Sequence, residues 1–293
     1  MKLLRAVLIV FVFTVPLFAQ FFGPPNYLWV GTWALQYQND PCGASECPRA
    51  LLHRDKFVNE LQSHIANSGY DIGFNHYANY ENTSASLESF ADNAKDMCEV
   101  VYFYGHGTDN ANGTTGGKMS FRNGTDCQYG RNFQYGGQYT KWVFTEACHF
   151  FQYDQNPANY TSMFNGAHAI FGFASLNPWF FTDYGGWWDC AWGGCSHHRS
   201  EDRWKYFWDN YFNGQDMWTA FTNAMHKSAD EYGAQPIECA AVQLKGLINC
   251  NNGWCNMFYG AAERIDYTYN GELYPDGNFH VEFVTEEIGP IVF

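Results

Sequence analysis

Three short stretches constrain this chain more than anything else in it: CEVVYFYGHG (98–107), YTKWVFTEAC (139–148) and GAHAIFGFAS (166–175). Each holds a run of consecutive apolar, aromatic or β-branched residues. Each then breaks off in glycine or a small or polar group. A strand with one face in water alternates apolar and polar side chains, whereas a strand that is apolar at every position suits a sheet covered on both faces, as parallel sheets are. Helical patterns fill the intervals. Leu51, Leu52, Phe57, Val58, Leu61 and Ile65 fall near helical spacing within 48–68, and Gly69 ends that run. A shorter helix is expected over 84–94 with Leu87 and Phe90 inward. Two more are expected over 201–212 and 215–231, the last carrying Met217, Trp218, Phe221 and Met225 on one side. Strands are expected at YLWVGTWAL (27–35), more weakly at YDIGFNH (70–76), and within AAVQLKG (240–246) and MFYGAAERIDYTY (257–269). Alternating strands and helices predict an α/β fold with a mainly parallel central sheet flanked by helices. The stretch 108–138 reads as a polar insert rich in Gly and Asn, and 176–199 as a loop rich in Trp, Gly and Asp.

The chain is 293 residues long, 46% hydrophobic and only 16% charged, which excludes a disordered polymer. Neither a repeat nor a linker divides it, so residues 20–293 are expected to form a single domain. The formal charge of −14 and the absence of a Lys/Arg cluster argue against a nucleic-acid partner.

The first twenty residues, MKLLRAVLIVFVFTVPLFAQ, combine a basic start (Lys2, Arg5), an apolar run from Ala6 to Phe18 and a small residue, Ala19, at a plausible cleavage point. The run falls short of the roughly 20 residues that span a bilayer. Residues 1–19 are read as a cleaved signal peptide, with an uncleaved anchor as the alternative. The expectation is a secreted, extracellular protein with no stable membrane insertion after cleavage.

Secretion changes how the ten cysteines are read, because most should pair in an oxidising compartment. Cys42/Cys47, Cys190/Cys195 and Cys250/Cys255 are close in sequence and lie in loop-like stretches. Cys127 and Cys239 form a preferred fourth, long-range pair. Connectivity stays open at this level. Cys98 and Cys148 are left over. Asn82, Asn112, Asn123 and Asn159 each begin an Asn-x-Ser/Thr sequon, a glycosylation acceptor in a eukaryotic host.

The chemistry gathers at the ends of two apolar blocks. One ends in His106-Gly107 and the other in Ala147-Cys148, the histidine and cysteine 42 residues apart. In open parallel sheets, functional groups collect at the carboxyl ends of the strands. If these two strands are neighbours, a nucleophile and its proton carrier share one edge. The backbone N–H groups of Gly107 and Cys148 are candidates for an oxyanion hole. Taken singly, a histidine at a strand end is more often a surface or capped residue, and a cysteine in an apolar strand more often core or disulfide.

Hydrophobic block, His-Gly, spacer, hydrophobic block, Ala-Cys resembles the caspase–legumain–gingipain clan of cysteine peptidases. VVYFYGHG and KWVFTEAC carry that resemblance over about 50 residues, and IFGFAS and WTAFTNAMHKSA fit the rest of the fold loosely. The chain is also similar to an uncharacterised gingipain/caspase-like branch with a GHG…EACH…GF pattern, from which no activity carries over. The resemblance implies a caspase-haemoglobinase-like sandwich, peptide or protein substrates, no cofactor and no metal. It implies Cys148 as nucleophile, His106 as general base or acid, and Gly107 and Cys148 as oxyanion donors. Glu146, in the Glu-Ala-Cys triplet that legumains share, would line the substrate pocket together with Phe173 and Ser175. The alternative for Glu146 is a buried, partnered carboxylate.

Weaker candidates remain. Cys190, Cys195, His197 and His198 have spacing that suits zinc, but a local disulfide beside surface histidines is preferred. Asn and Asp oxygens in 107–117 suit calcium less well than they suit a polar loop. His149 adjoins Cys148, yet on a strand it would point the other way. His168 is expected as a satisfied core histidine. Trp179, Trp187, Trp188 and Trp192 either stack sugars or cover the site's edge. The alternative to a peptidase is a catalytically silent relative, a secreted glycoprotein binding carbohydrate or protein through aromatic loops.

Overall fold

The computed structural model describes residues 27–35, 50–70, 72–108, 117–121, 127–135, 140–151, 157–164, 167–174, 201–232, 237–247, 257–259 and 279–288. In chain order the elements are β1 (Tyr27–Ala34), α1 (Ala50–Asn67), β2 (Gly73–Glu81), α2 (Leu87–Asp96), β3 (Val100–Tyr104), β4 (Gly107–Thr108), β5 (Lys118–Ser120), β6 (Cys127–Tyr129), β7 (Trp142–Thr145), β8 (Ala169–Phe173), α3 (Asp202–Phe212), α4 (Met217–Tyr232), β9 (Ile237–Leu247), β10 (Met257–Tyr259) and β11 (Phe279–Ile288).

The protein is α/β, built on a mixed, mostly parallel sheet. Its order is β10-β9-β8-β7-β3-β1-β2, and β11 also pairs with β9. β2, β1, β3, β7 and β8 run parallel, while β9 is antiparallel to β8, β10 and β11. The three apolar blocks become β3, β7 and β8, side by side in the middle, and every residue of all three is buried.

Side-chain alternation explains why these strands, Thr145 apart, are apolar or aromatic at every position. Tyr102 and Phe144 point to one face, where Phe57 of α1 lies over both at ring-centroid distances of 4.5 and 5.3 Å. Trp204 and Trp208 of α3 close on the same ring at 4.8 and 5.2 Å. Phe103 points to the other face and meets Phe90 of α2 at 5.7 Å, and Trp33 meets that ring at 5.0 Å. Truncating a wholly buried aromatic such as Phe57 to alanine costs about 3–5 kcal/mol in such a core. α1 ends as expected: Gly69 has φ +72°, the left-handed turn that glycine adopts without a Cβ penalty.

Several expectations need correction. The weak strand at 70–76 runs later, over Gly73–Glu81. The polar insert 108–138 contains a second, three-stranded antiparallel sheet, β4-β5-β6. The strand expected to reach Cys148 stops at Thr145, and residues 148–151 form a turn. β11, FHVEFVTEEI, was not anticipated. Of 257–269 the structure describes only β10.

Residues 1–26, Cys42, Cys47, Cys190, Cys195, Cys250, Cys255, Asn112, Asn123, Ser175, His197, His198 and the tryptophan cluster lie outside the described residues. A Cys127–Cys239 bridge would join the two sheets, since Cys127 opens β6 and Cys239 is buried on β9. Asn82 starts a turn at the end of β2, and Asn159 lies in the 3₁₀ segment Pro157–Met163. No helix among the described residues is long and apolar enough to cross a membrane.

Candidate functional site

β3 and β7 are parallel neighbours whose last paired residues are Phe103 and Thr145. The Glu146 N–H extends the ladder by donating to the Phe103 carbonyl at 2.8 Å. His106 and Cys148 each follow three residues beyond that last pair, so both stand at the carboxyl edge of the sheet. Both are nearly inaccessible, at 4% and 3% exposure.

The two elements touch through their backbones. A Cβ added at Gly107 would run into the Cys148 carbonyl oxygen and lie 2.7 Å from the Cys148 amide nitrogen. Only glycine permits that approach. The ladder beyond it then decides where the Gly107 N–H points. Ser120 N–H donates to the His106 carbonyl at 3.0 Å, which makes 106/120 a hydrogen-bonded pair. The next pair, Gly107 opposite Met119, is therefore of the non-hydrogen-bonded kind. Its N–H is directed away from β5 and is not used in that ladder.

The small sheet also packs on the turn that carries Cys148. Gly117 N–H donates to the Phe150 carbonyl at 3.2 Å. A Cβ on Gly117 would strike the His149 carbonyl oxygen, and one on Gly130 would strike the Phe150 ring. His149 itself has φ +58°, a left-handed conformation that costs a non-glycine residue roughly 1–2 kcal/mol. Because it sits in a turn, strand alternation does not set its direction, and the reason for preferring His106 over it no longer holds.

Glu146 is not the wall of an open pocket. Its carboxylate is wholly buried and held from four sides. Trp204 Nε1 donates to it at 2.6 Å, the Tyr102 hydroxyl donates to the same oxygen, and the Arg203 guanidinium lies at 3.2 Å. His53 Nδ1 is 3.2 Å from both oxygens. Burial would push this carboxyl up. The Arg203 charge, with His53 and Tyr102, overrides it and holds the group down at about 2. His53 lies within ion-pair distance, but burial lowers its pKa, so it is neutral and its Nδ1 proton goes to Glu146. In that tautomer the 3.4 Å approach of Arg203 to Nδ1 is a contact and not a hydrogen bond. The Tyr102 hydroxyl is pushed far up, first by burial and then by Glu146, and stays a donor.

Phe173, the second expected pocket residue, is also core: it is fully buried, its ring 5.9 Å from Phe221 of α4. His168 is half-buried just ahead of β8, at the opposite edge of the sheet, with its ring 6.1 Å from Trp142. Cys98 is buried under Gly31, and burial, with Glu99 beside it, pushes its thiol up to about 12. Among the described residues, no group of three or more His, Cys, Asp and Glu side chains is gathered for a metal ion.

Sequence reasoning missed His53 and Arg203. Both carried a signal. His53 is four residues before Phe57, and Arg203 is four before Phe207, so each falls on its helix's apolar stripe. A charged or polar group there requires a buried partner.

No family model matches the chain, and no curated protein matches it.

Proposed function

We propose that the chain is a secreted cysteine peptidase-like hydrolase of caspase/legumain-like fold, acting on peptide bonds without metal or cofactor. The observation that carries this reading is the backbone contact of Gly107 with Cys148, at the common carboxyl edge of two parallel strands. In the proposed reaction, His106 takes the proton of the Cys148 thiol. The sulfur then forms a bond to the peptide carbonyl carbon. The negative charge on oxygen is met by the N–H groups of Gly107 and Cys148, the first of which is left unspent by the β4–β5 ladder. Protonation of the leaving nitrogen by imidazolium breaks the C–N bond and leaves a thioester. Water, deprotonated by His106, cleaves the thioester to acid and thiol. Both side chains are buried, so the reading includes an opening step before substrate reaches the sulfur.

The test compares wild type with Cys148→Ala on a mixed peptide library, together with a thiol-reactive covalent probe. Labelling at Cys148 and cleavage lost in the variant are expected. No labelling of Cys148 in any folded preparation, acid-treated material included, rejects the reading.

One observation favours the second reading, a catalytically silent relative binding carbohydrate or protein. Glu146 and Phe173 are both buried in the core, so neither lines an open specificity pocket. Glycan-array binding that survives Cys148→Ala supports that alternative.

A further inference from the structure

The carboxylate of Glu146 receives donors from α1, β3 and α3, yet it sits only two residues before Cys148 in the chain. Its backbone is pinned as well, since its N–H continues the ladder to Phe103 and the next N–H, of Ala147, donates to Thr145 Oγ1 at 3.2 Å. The end of β7 is thus fixed in three directions immediately before the turn. Beyond it, the chain must bring the Cys148 carbonyl and amide against Gly107 with no space to spare.

We infer that Arg203 is a positioning residue for Cys148, acting through its buried ion pair with Glu146 to hold the nucleophile's backbone against Gly107. This deepens the peptidase reading and rests on it. Among the described residues that donate to that carboxylate, Arg203 supplies the full positive charge, because burial disfavours the charged form of His53, and Tyr102 and Trp204 are neutral donors. Its planar guanidinium is fixed at the start of α3, with Trp204 next to it donating to the other carboxylate oxygen. Side chains of both partners are 0% exposed, so solvent does not screen the pair. Removing the cation leaves a buried carboxylate that must either take up a proton or draw in water, and either change loosens the end of β7. Where the carboxylate stays ionised, the same removal makes the surroundings of Cys148 more negative, which raises a thiol pKa. Removing the carboxylate charge does the reverse.

The experiment uses the full secreted chain. The rate of Cys148 alkylation by iodoacetamide is followed from pH 5 to 10 by peptide mass spectrometry, for wild type, Arg203→Lys, Arg203→Met, Glu146→Gln and the double variant Arg203→Met/Glu146→Met. Circular dichroism identifies the folded preparations. Expected are an alkylation profile displaced to higher pH by about one unit in Arg203→Met and to lower pH in Glu146→Gln. Arg203→Lys should fall between Arg203→Met and wild type. If Arg203→Met does not fold, Arg203→Lys and the double variant, which leaves no uncompensated charge, carry the comparison: slower labelling than wild type is expected in both. Folded variants with the wild-type profile and rate overturn the positioning role while leaving the peptidase reading intact. Failure of the wild-type Cys148 to label at any pH overturns the peptidase reading, and the positioning role with it.

Discussion

Gly107 and Cys148 meet backbone to backbone, closely enough that a single methyl group at position 107 has nowhere to go. Gly107→Ala should therefore force the His106 and Cys148 elements apart. Overpacking of this kind costs typically about 1–3 kcal/mol. The variant is expected to fold with a lower urea midpoint and to lose Cys148 labelling and peptide cleavage disproportionately. A variant that keeps wild-type labelling would show that the contact is incidental to reactivity.

His106 and His149 compete for the role of proton carrier, and alternation no longer separates them. His106 follows β3 and carries the ladder bond from Ser120 on its own carbonyl. His149 sits at φ +58° in the turn. If His106 moves the proton, His106→Ala should lower kcat/KM by about 10²–10⁴ and remove the acidic limb of its pH profile. His149→Gly should leave that limb in place and raise stability slightly, since relief of the left-handed strain offsets the greater chain entropy of glycine. The reverse pattern in the two pH profiles would move the assignment to His149.

The middle of the sheet was legible because every residue of β3, β7 and β8 except Thr145 is apolar or aromatic, and only a doubly covered strand rewards that pattern. That His106 and Cys148 share the carboxyl edge of neighbouring strands followed from the same blocks, although β7 stops at Thr145 and not at Cys148. The small sheet was not legible. Its strands are two or three residues long, in a polar, glycine-rich stretch where neither periodicity has room to register. β11 mixes acidic with apolar residues without a sustained period of two and declares itself only by pairing with β9 along its whole length. The surroundings of Glu146 were hidden for another reason. His53 is 93 residues before it and Trp204 58 residues after it, and no local pattern joins groups that meet only when α1 and α3 pack together on the sheet.

Cys98 provides an internal control for any labelling experiment. At about 12, its thiol supplies on the order of 10⁻⁴ of its population as thiolate at pH 8, against roughly a quarter for an ordinary exposed cysteine. It should label at least about a thousandfold more slowly than an ordinary exposed cysteine until the protein unfolds. Time-resolved peptide mapping in native buffer and in urea measures this directly. Early labelling of Cys98 under native conditions would mean that the α2 face of the sheet opens readily.

The buried carboxylate also makes a pH signature. Glu146 is held at about 2 in the folded chain, against an ordinary 4.5. Its folded pKa is depressed, so its contribution is fully present above about pH 4.5 and is lost as pH falls towards 2. His53, lowered by burial, acts in the same direction from its ordinary 6.5 downward, because the unfolded chain takes up that proton first. Glu99 is raised, chiefly by burial, and acts oppositely. Comparing wild type with Glu146→Gln by urea denaturation at several pH values cancels the Glu99 contribution. At pH 7 the variant should be less stable by about 3–5 kcal/mol, because Arg203 is left buried without its counter-charge. That gap should narrow as pH falls from about 4.5 towards 2, since wild type then loses what the variant never had. A gap that stays constant across the range would mean that Glu146 is not an ionised partner of Arg203 in the folded protein.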